Sequence, residues 1–253
     1  MNAEFDRLAA QYEELLKDPL REYFAPGSDF FITRKLEVLL DFARTIHVDT
    51  HRVAWLDVGC GKGQLLRAGR SHFARATGCD VSGAMIAACQ DLDVVAQVDG
   101  DRLPFADASV DWVTAVCIYH HVTRSDRWRL TADVCRVLKP GGVFAIIEHN
   151  PFNPVVQVVV RRTPVDENAV LLTAGTARRL MRDAGLRVIA TRYFLTVPQR
   201  LYRWGRFIER AVAAAPLGGQ YAVFGRKAGS TPPLATRMPA PHVLRSVGPP
   251  PRV

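Results

Sequence analysis

The stretch LDVGCGKGQ, residues 56–64, puts one acid and three alternating glycines straight after an apolar run. Gly59, Gly61 and Gly63 let the backbone turn sharply and let a ligand approach without meeting a Cβ. N–H groups of a following helix can then face that ligand. The spacing is GxGxG with Asp57 ahead of it, not the GxGxxG dinucleotide fingerprint, and no GK[ST] ends it as in a Walker loop. Asp80, in GCDVS, stands 23 residues after Asp57. An acid at that strand tip can accept both hydroxyls of a ribose. Asp99 ends the next apolar stretch, where an aromatic base could lie. Two further groups could move protons: Tyr119, His120 and His121 in YHH, and Glu148, His149 and Asn150 in EHN. An unperturbed imidazole titrates near ~6.5, which suits a general base. The same histidines could instead shape a pocket wall. Cys117 falls inside a strand pattern and reads as core.

These residues need a frame that brings their tips together. RVAWLDVGC, RATGCDVS, VVAQVD, VDWVTAVCIYHH and GGVFAIIEHN read as strands. QLLRAGRSHFA, AMIAACQDL and RWRLTADVCRVLK read as helices between them, the last stopped by PGG. Strands alternating with helices call for a parallel sheet covered on both faces. Residues 1–50 read as helices, with Phe5, Leu8, Tyr12 and Leu15 at helical spacing and a second pattern over Thr33–Arg44. The segment 151–173 carries three prolines and reads as an excursion over the site. Thr173 is placed to cap a helix that Gly185 ends. LRVIATRYFLTV and QYAVFGRK read as strands around a helix near 199–214, within a second excursion over 199–216. Residues 229–253 hold seven prolines and are expected to be disordered.

The chain has 253 residues, 48% of them hydrophobic, enough for one domain with a sizeable core. No run approaches the ~18 apolar residues of a membrane span, and the charged start is no secretory signal. Five cysteines without a CxxC pair read as reduced thiols of a cytoplasmic protein, with no disulfide frame and no metal site. The net charge of +8 is uneven. Residues 1–150 hold 17 basic and 21 acidic side chains, whereas residues 151–228 hold 13 and 4. A basic half suits a phosphorylated acceptor, an anionic membrane surface or nucleic acid, and equally an arginine-rich solvated face. Arg161 and Arg162 form a guanidinium pair suited to phosphate or carboxylate. Arg200, Arg203, Arg206 and Arg210 run beside Leu201, Trp204, Phe207 and Ile208. Such a helix can lie on an anionic membrane. More commonly it packs its apolar face on its own sheet.

LDVGCGKG, GCDVS, VDGDRLPFADASVDWV, HHV and RVLKPGGVFAIIE, in this order over about residues 52–148, resemble class I S-adenosylmethionine-dependent methyltransferases. The similarity is to the small-molecule, ubiquinone-biosynthesis-like branch. It implies an α/β, Rossmann-like fold: a seven-stranded, mostly parallel sheet with helices on both faces, over residues 51–228. It also implies S-adenosylmethionine as cofactor. Asp57 would orient the methionine amino group. Gly59, Cys60, Gly61 and Gly63 would line the methionine and ribose. Asp80 with Val81 would hold the ribose hydroxyls, and Asp99 with Gly100 the adenine. FDRLAAQYEE resembles the branch's N-terminal cap, which would place Tyr12 on the acceptor. His120, His121 and His149 are then candidate bases, and Arg161 and Arg162 candidate acceptor ligands. EHNPFNP and PLGGQYAVFGRK resemble segments of bacterial methyltransferases of glycan or lipid-linked glycan pathways. The expected activity is methylation at oxygen of a small or lipid-linked acceptor, in the cytoplasm or at the inner membrane face, with no stable nucleic-acid partner. The alternatives are an RNA or protein methyltransferase, or a non-catalytic cofactor-binding sensor or scaffold.

Overall fold

Seven apolar runs pair side by side because their peptide groups, once buried, must find partners in one another. The computed structural model describes residues 2–97 and 102–229. Strands β1 (Ala54–Val58), β2 (Arg75–Asp80), β3 (Asp93–Ala96), β4 (Val110–Val116), β5 (Leu138–His149), β6 (Leu186–Phe194) and β7 (Gln220–Lys227) form one sheet. Its order is β3-β2-β1-β4-β5-β7-β6. Strands β1 to β5 are parallel, and β7 runs antiparallel between β5 and β6. The chain order reverses between β1 and β4, which opens a crevice at the carboxyl edge.

The N-terminal quarter is helical: α1 (Asn2–Leu8), α2 (Tyr12–Leu15), α3 (Pro19–Phe24) and α4 (Asp29–Thr45). Asp18 caps α3, accepting the N–H groups of Leu20 and Arg21, with Pro19 in the first turn. Helix α4 packs Leu36, Leu39 and Phe42 on one sheet face, beside Leu65 and Leu66 of α5 (Gln64–Gly69). Between β2 and β3 lies α6 (Gly83–Ile86), a single turn shorter than the sequence predicts. The other face carries α7 (Asp126–Val137) and α9 (Ala174–Asp183), through Leu130, Val134, Ala177 and Met181. Thr173 caps α9 by accepting Thr176 N–H, and Gly185 follows it at φ +87°.

Two segments differ from the sequence expectation. The first excursion contains a helix, α8 (Pro154–Arg162). Its prolines bracket it instead of breaking it. Pro154 opens the first turn, where no N–H is needed, and Pro164 starts a separate 3-10 turn through Asp166. Strand β4 stops at Val116, five residues before the predicted end. Cys117 adopts φ +56°, so the chain leaves the sheet and 117–121 form a loop. Cys117 lines the cavity described below, and is not core as expected. Among the described residues the last helix is α10 (Gln199–Ala211). The proline-rich tail lies, from residue 230, outside the described residues.

Aromatic packing fastens α4 to its face of the sheet. Phe42 of α4 stacks on Phe224 of β7 with ring centroids 3.7 Å apart. Replacing Phe224 with Ala is expected to cost about 3–5 kcal/mol. That lowers the thermal midpoint by about 10 °C. Calorimetry checks this, and a shift below 3 °C would show that the stack is not part of the core.

Candidate active site

The tip of β1 forms one wall of a cavity of about 530 Å³ at the carboxyl edge of the sheet. Asp57 is 3% exposed and accepts the Thr114 hydroxyl of β4 at 2.5 Å. Thr114 in turn accepts the Trp55 indole N–H at 2.8 Å, so the acid is held by the sheet itself. Burial pushes the Asp57 carboxyl up to about 7, against the Thr114 hydrogen bond and the charge of Lys35. Such a group gains by receiving a cation. Lys35, buried on α4, lines the same cavity. Gly59 and Gly61 carry the chain past Asp57 with φ +68° and +53°. A Cβ on Gly59 would meet Ile118 at 2.5 Å, whereas at Gly61 the space is open.

Asp80 ends β2 on the same wall. Its Oδ2 accepts Gly61 N–H at 2.7 Å and its Oδ1 accepts Ser82 N–H at 2.9 Å. Burial raises its pKa, and those N–H groups oppose the rise. Helix α1 straps across this corner. Asp6 accepts the Ser82 hydroxyl at 2.6 Å and Ala84 N–H at 3.1 Å. Tyr12 lines the cavity from above, burial raising its phenol.

Another part of the cavity wall is built around Glu148, which has no exposed surface at the end of β5. Its Oε1 accepts Tyr119 N–H at 2.7 Å, and its Oε2 lies 2.5 Å from His120 Nδ1. The other nitrogen of His120 lies 3.3 Å from Asp166 Oδ1, and His121 Nε2 lies 3.4 Å from the same oxygen. Burial alone would drive the His120 proton off. The charges of Glu148 and Asp166 overcome this and raise the imidazole to about 10. Asp166 is held well below the carboxylate range, its burial outweighed by hydrogen bonds from both histidines. His149, also on the wall, is lowered to about 4 by burial and by the charge of His120. Donor atoms of His120, His121 and Asp166 lie within 4.8 Å of one another, a spacing that could hold a cation. The imidazolium form of His120 opposes that use, because it has no lone pair to donate.

The structure brings Asp57, Gly59, Cys60, Gly61, Asp80, Val81, Tyr12, His120, His121 and His149 to one cavity. Gly63 is not on its wall. It caps α5 at φ +74°, where a Cβ would strike Leu92 at 2.3 Å. Asp99 and Gly100 lie outside the described residues. Arg161 and Arg162 also stand off the cavity, on the exposed last turn of α8. The wall of α8 is instead apolar, formed by Val155, Val156, Val159 and Val160. Asp166 was not among the sequence candidates. It stands beside a second acid, Glu167, just after a valine-rich stretch, and its partners His120 and His121 are 46 and 45 residues upstream.

The charges on the cofactor side fit the expected cofactor: carboxylates at Asp57 and Asp80 for an ammonium and a diol, Lys35 for a carboxylate, and open space at Gly61. The raised Asp57 fixes the sign of two pH effects. Between about pH 4 and 7 the folded chain keeps a proton that the unfolded chain releases. The unliganded protein therefore loses stability as pH rises through that window. Asp57→Asn should raise its melting temperature at pH 8 by about 5 °C. The same change should weaken S-adenosylhomocysteine at least tenfold. Wild-type affinity should fall as pH drops from 8 to 6, and the variant should lose that dependence. Titration calorimetry reads both, and equal affinity in the two proteins would remove Asp57 from the site.

Residues 56–146 match the family model described as a methyltransferase domain. The chain is 35% identical over 102 residues to 27-O-demethylrifamycin SV methyltransferase of Amycolatopsis mediterranei, covering 36% of each protein. It is 34% identical over 93 residues to the tRNA (carboxymethyluridine(34)-5-O)-methyltransferase of Arabidopsis thaliana, covering 36% of this chain and 22% of that one. The chain thus spans about a third or less of the length of these relatives. The crystal structure of a SAM dependent methyltransferase from Archaeoglobus fulgidus superimposes with a TM-score of 0.61 at 18% identity, over 81% of this chain and 97% of that one. Fold, ordered motifs and family match agree: residues 56–146 are a methyltransferase domain within a chain that has the fold of S-adenosylmethionine-dependent methyltransferases, which indicate S-adenosylmethionine as the cofactor.

Proposed function

We propose that the protein methylates a hydroxyl oxygen of an apolar small-molecule or lipid-linked acceptor, with His121 as base and Asp166 as its positioning partner. The observation that carries this reading is the His121–Asp166 pair on the cavity wall. Bound S-adenosylmethionine supplies a sulfonium methyl group. Asp57, Asp80 and Lys35 would hold it against the β1 and β2 tips. On the facing side, His121 Nε2–H directed at Asp166 leaves Nδ1 with a lone pair, which can take the acceptor's hydroxyl proton. Phe5 of α1 fixes the ring edge-to-face at a centroid distance of 4.9 Å. His120 is not a base in this reading. Both its nitrogens face carboxylates, and as an imidazolium it cannot accept a proton. His149 stays neutral down to about pH 4 and is too weak a base at neutral pH.

The acceptor class follows from the remaining walls. Leu16, Leu20, Phe24, Phe31 and Ile32 of the helical cap face the valines of α8 across the cavity. An apolar acceptor gains from burial there. A polynucleotide calls for a basic groove, whereas on these walls aliphatic side chains outnumber the basic ones, which are Arg21, Lys35 and Lys62. The resemblance to a rifamycin O-methyltransferase supports oxygen as the atom methylated, and the resemblance to a tRNA enzyme makes RNA the comparison to run.

The test supplies methyl-labelled S-adenosylmethionine with a solvent extract of the source cells or with their total RNA. Label should enter the solvent-soluble fraction. Transfer into RNA alone would overturn the acceptor class. His121→Gln and Asp166→Asn should lower transfer about 10²–10⁴-fold while S-adenosylhomocysteine affinity stays within twofold. A loss below threefold in both would return the pair to a shaping role. Added chelator should leave the rate unchanged; a metal-restored loss would assign the trio to a cation instead.

A further inference from the structure

Helix α10 is folded inside out. Its inward line is Tyr202, Gly205 and Glu209. Glu209 is 3% exposed, pairs with the buried Arg34 of α4 at 2.5 Å and accepts Thr196 N–H at 2.8 Å. The Arg34 guanidinium lies 4.2 Å over the Tyr202 ring. Gly205 sits so close to Val197 that a Cβ would approach it to 2.6 Å. The outward line is apolar: Trp204 is 75% exposed, Phe207 and Ile208 62%, and Leu201 52%. At about 100° per residue these four cover an arc of about 120°. Arg203, Arg206 and Arg210 flank one side of it, and Arg200 lies within it at the helix start. The helix's one acid, Glu209, faces inward, so its exposed charge is all positive. Turning the helix to bury Trp204 would strip Arg34 and Glu209 of each other. The buried ion pair therefore fixes the exposed apolar face.

This face does not end with the helix. Tyr23 of α3 is 63% exposed, hydrogen-bonded by Arg200 and covered by its guanidinium at 4.3 Å. Phe152 and Leu217 are exposed at the same edge of the sheet, after β5 and before β7. Leu20 and Val155 are both exposed and on the cavity wall. Pro198, the residue before α10, lines the cavity too. Apolar surface thus leads from the outside of α10 towards the cavity.

We propose that α10, with Tyr23, Phe152 and Leu217, seats the protein on an anionic membrane surface, with the cavity open to acceptors carried in that membrane. Large apolar side chains enter the headgroup region while arginines meet the anionic headgroups. Charge complementarity selects this occupant: Arg210 pairs with Asp41 at 3.5 Å, and a second copy would still bring three arginines against three. The seat stands on this surface alone, and the delivery of a lipid-borne acceptor rests on the function proposed above.

Flotation with vesicles of phosphatidylcholine, with and without 30% phosphatidylglycerol, tests the seat without any transfer assay. Wild type should float with the anionic vesicles only, and salt should weaken this binding. Arg200/Arg203/Arg206/Arg210→Gln and Trp204/Phe207/Ile208→Ser should each reduce binding at least tenfold, with S-adenosylhomocysteine affinity unchanged as the check on folding. Absence of wild-type flotation in low salt would overturn the proposal, as would equal flotation of wild type and both variants. A dimer in solution that the Trp204/Phe207/Ile208→Ser variant dissolves, without vesicle binding, would assign the face to a second copy.

Discussion

Glu148 is a carboxylate sealed inside the protein at the end of a central strand, and a charge there is tolerable only with a proton-bearing partner beside it. His120 is that partner, and meeting this need builds one side of the cavity. One oxygen of Glu148 fixes the loop after β4 through Tyr119 N–H, and the other orients the His120 ring. The far nitrogen of the ring then faces Asp166, which comes from the 3-10 turn after α8. Asp166 reaches His121 in turn. Strand, loop and excursion are thereby joined through one line of charge. Removing one partner from such a buried pair costs about 3–5 kcal/mol, because the other is left uncompensated.

Around the cavity, environment separates groups that would otherwise behave alike. Burial raises Asp57, while two histidines lower Asp166. Two carboxylates hold His120 protonated, and the resulting charge helps keep His149 neutral. The cofactor side thus offers carboxylates to a cationic ligand, and the acceptor side offers an oriented imidazole inside apolar walls. The same logic acts at the surface. The buried Arg34–Glu209 pair sets the rotation of α10 and turns its aromatic residues outward.

The parts legible in the sequence are those in which neighbours in the chain are neighbours in space. Asp57, Gly59 and Gly61 are one strand tip and turn, so their spacing, taken with Asp80 and the later motifs in order, points to a cofactor wall. The alternation of strand and helix patterns likewise pointed to a parallel sheet covered on both faces. Long-range pairing was not legible. Asp166 matters only because His120 and His121 come to it from another strand tip. Helix α8 was hidden because its prolines look like breakers, while their positions at the first turn and beyond the end suit a helix. Arg161 and Arg162 drew notice as a pair, but the helical turn leaves them exposed and gives the cavity to the valines. Apolar spacing in α10 pointed to a packed face. The outcome was reversed by Glu209, whose partner Arg34 lies 175 residues away.

The central claim is that His120 is a fixed positive charge held by Glu148 and Asp166. Ring-nitrogen NMR of the histidines reads this directly, with His120→Gln and His149→Gln variants to assign their signals. The account predicts that His120 keeps both ring protons through pH 8 and that His149 stays neutral at pH 6. Titration of His120 near the ordinary imidazole value of ~6.5 would contradict it, because the Glu148 charge would then have no lasting partner.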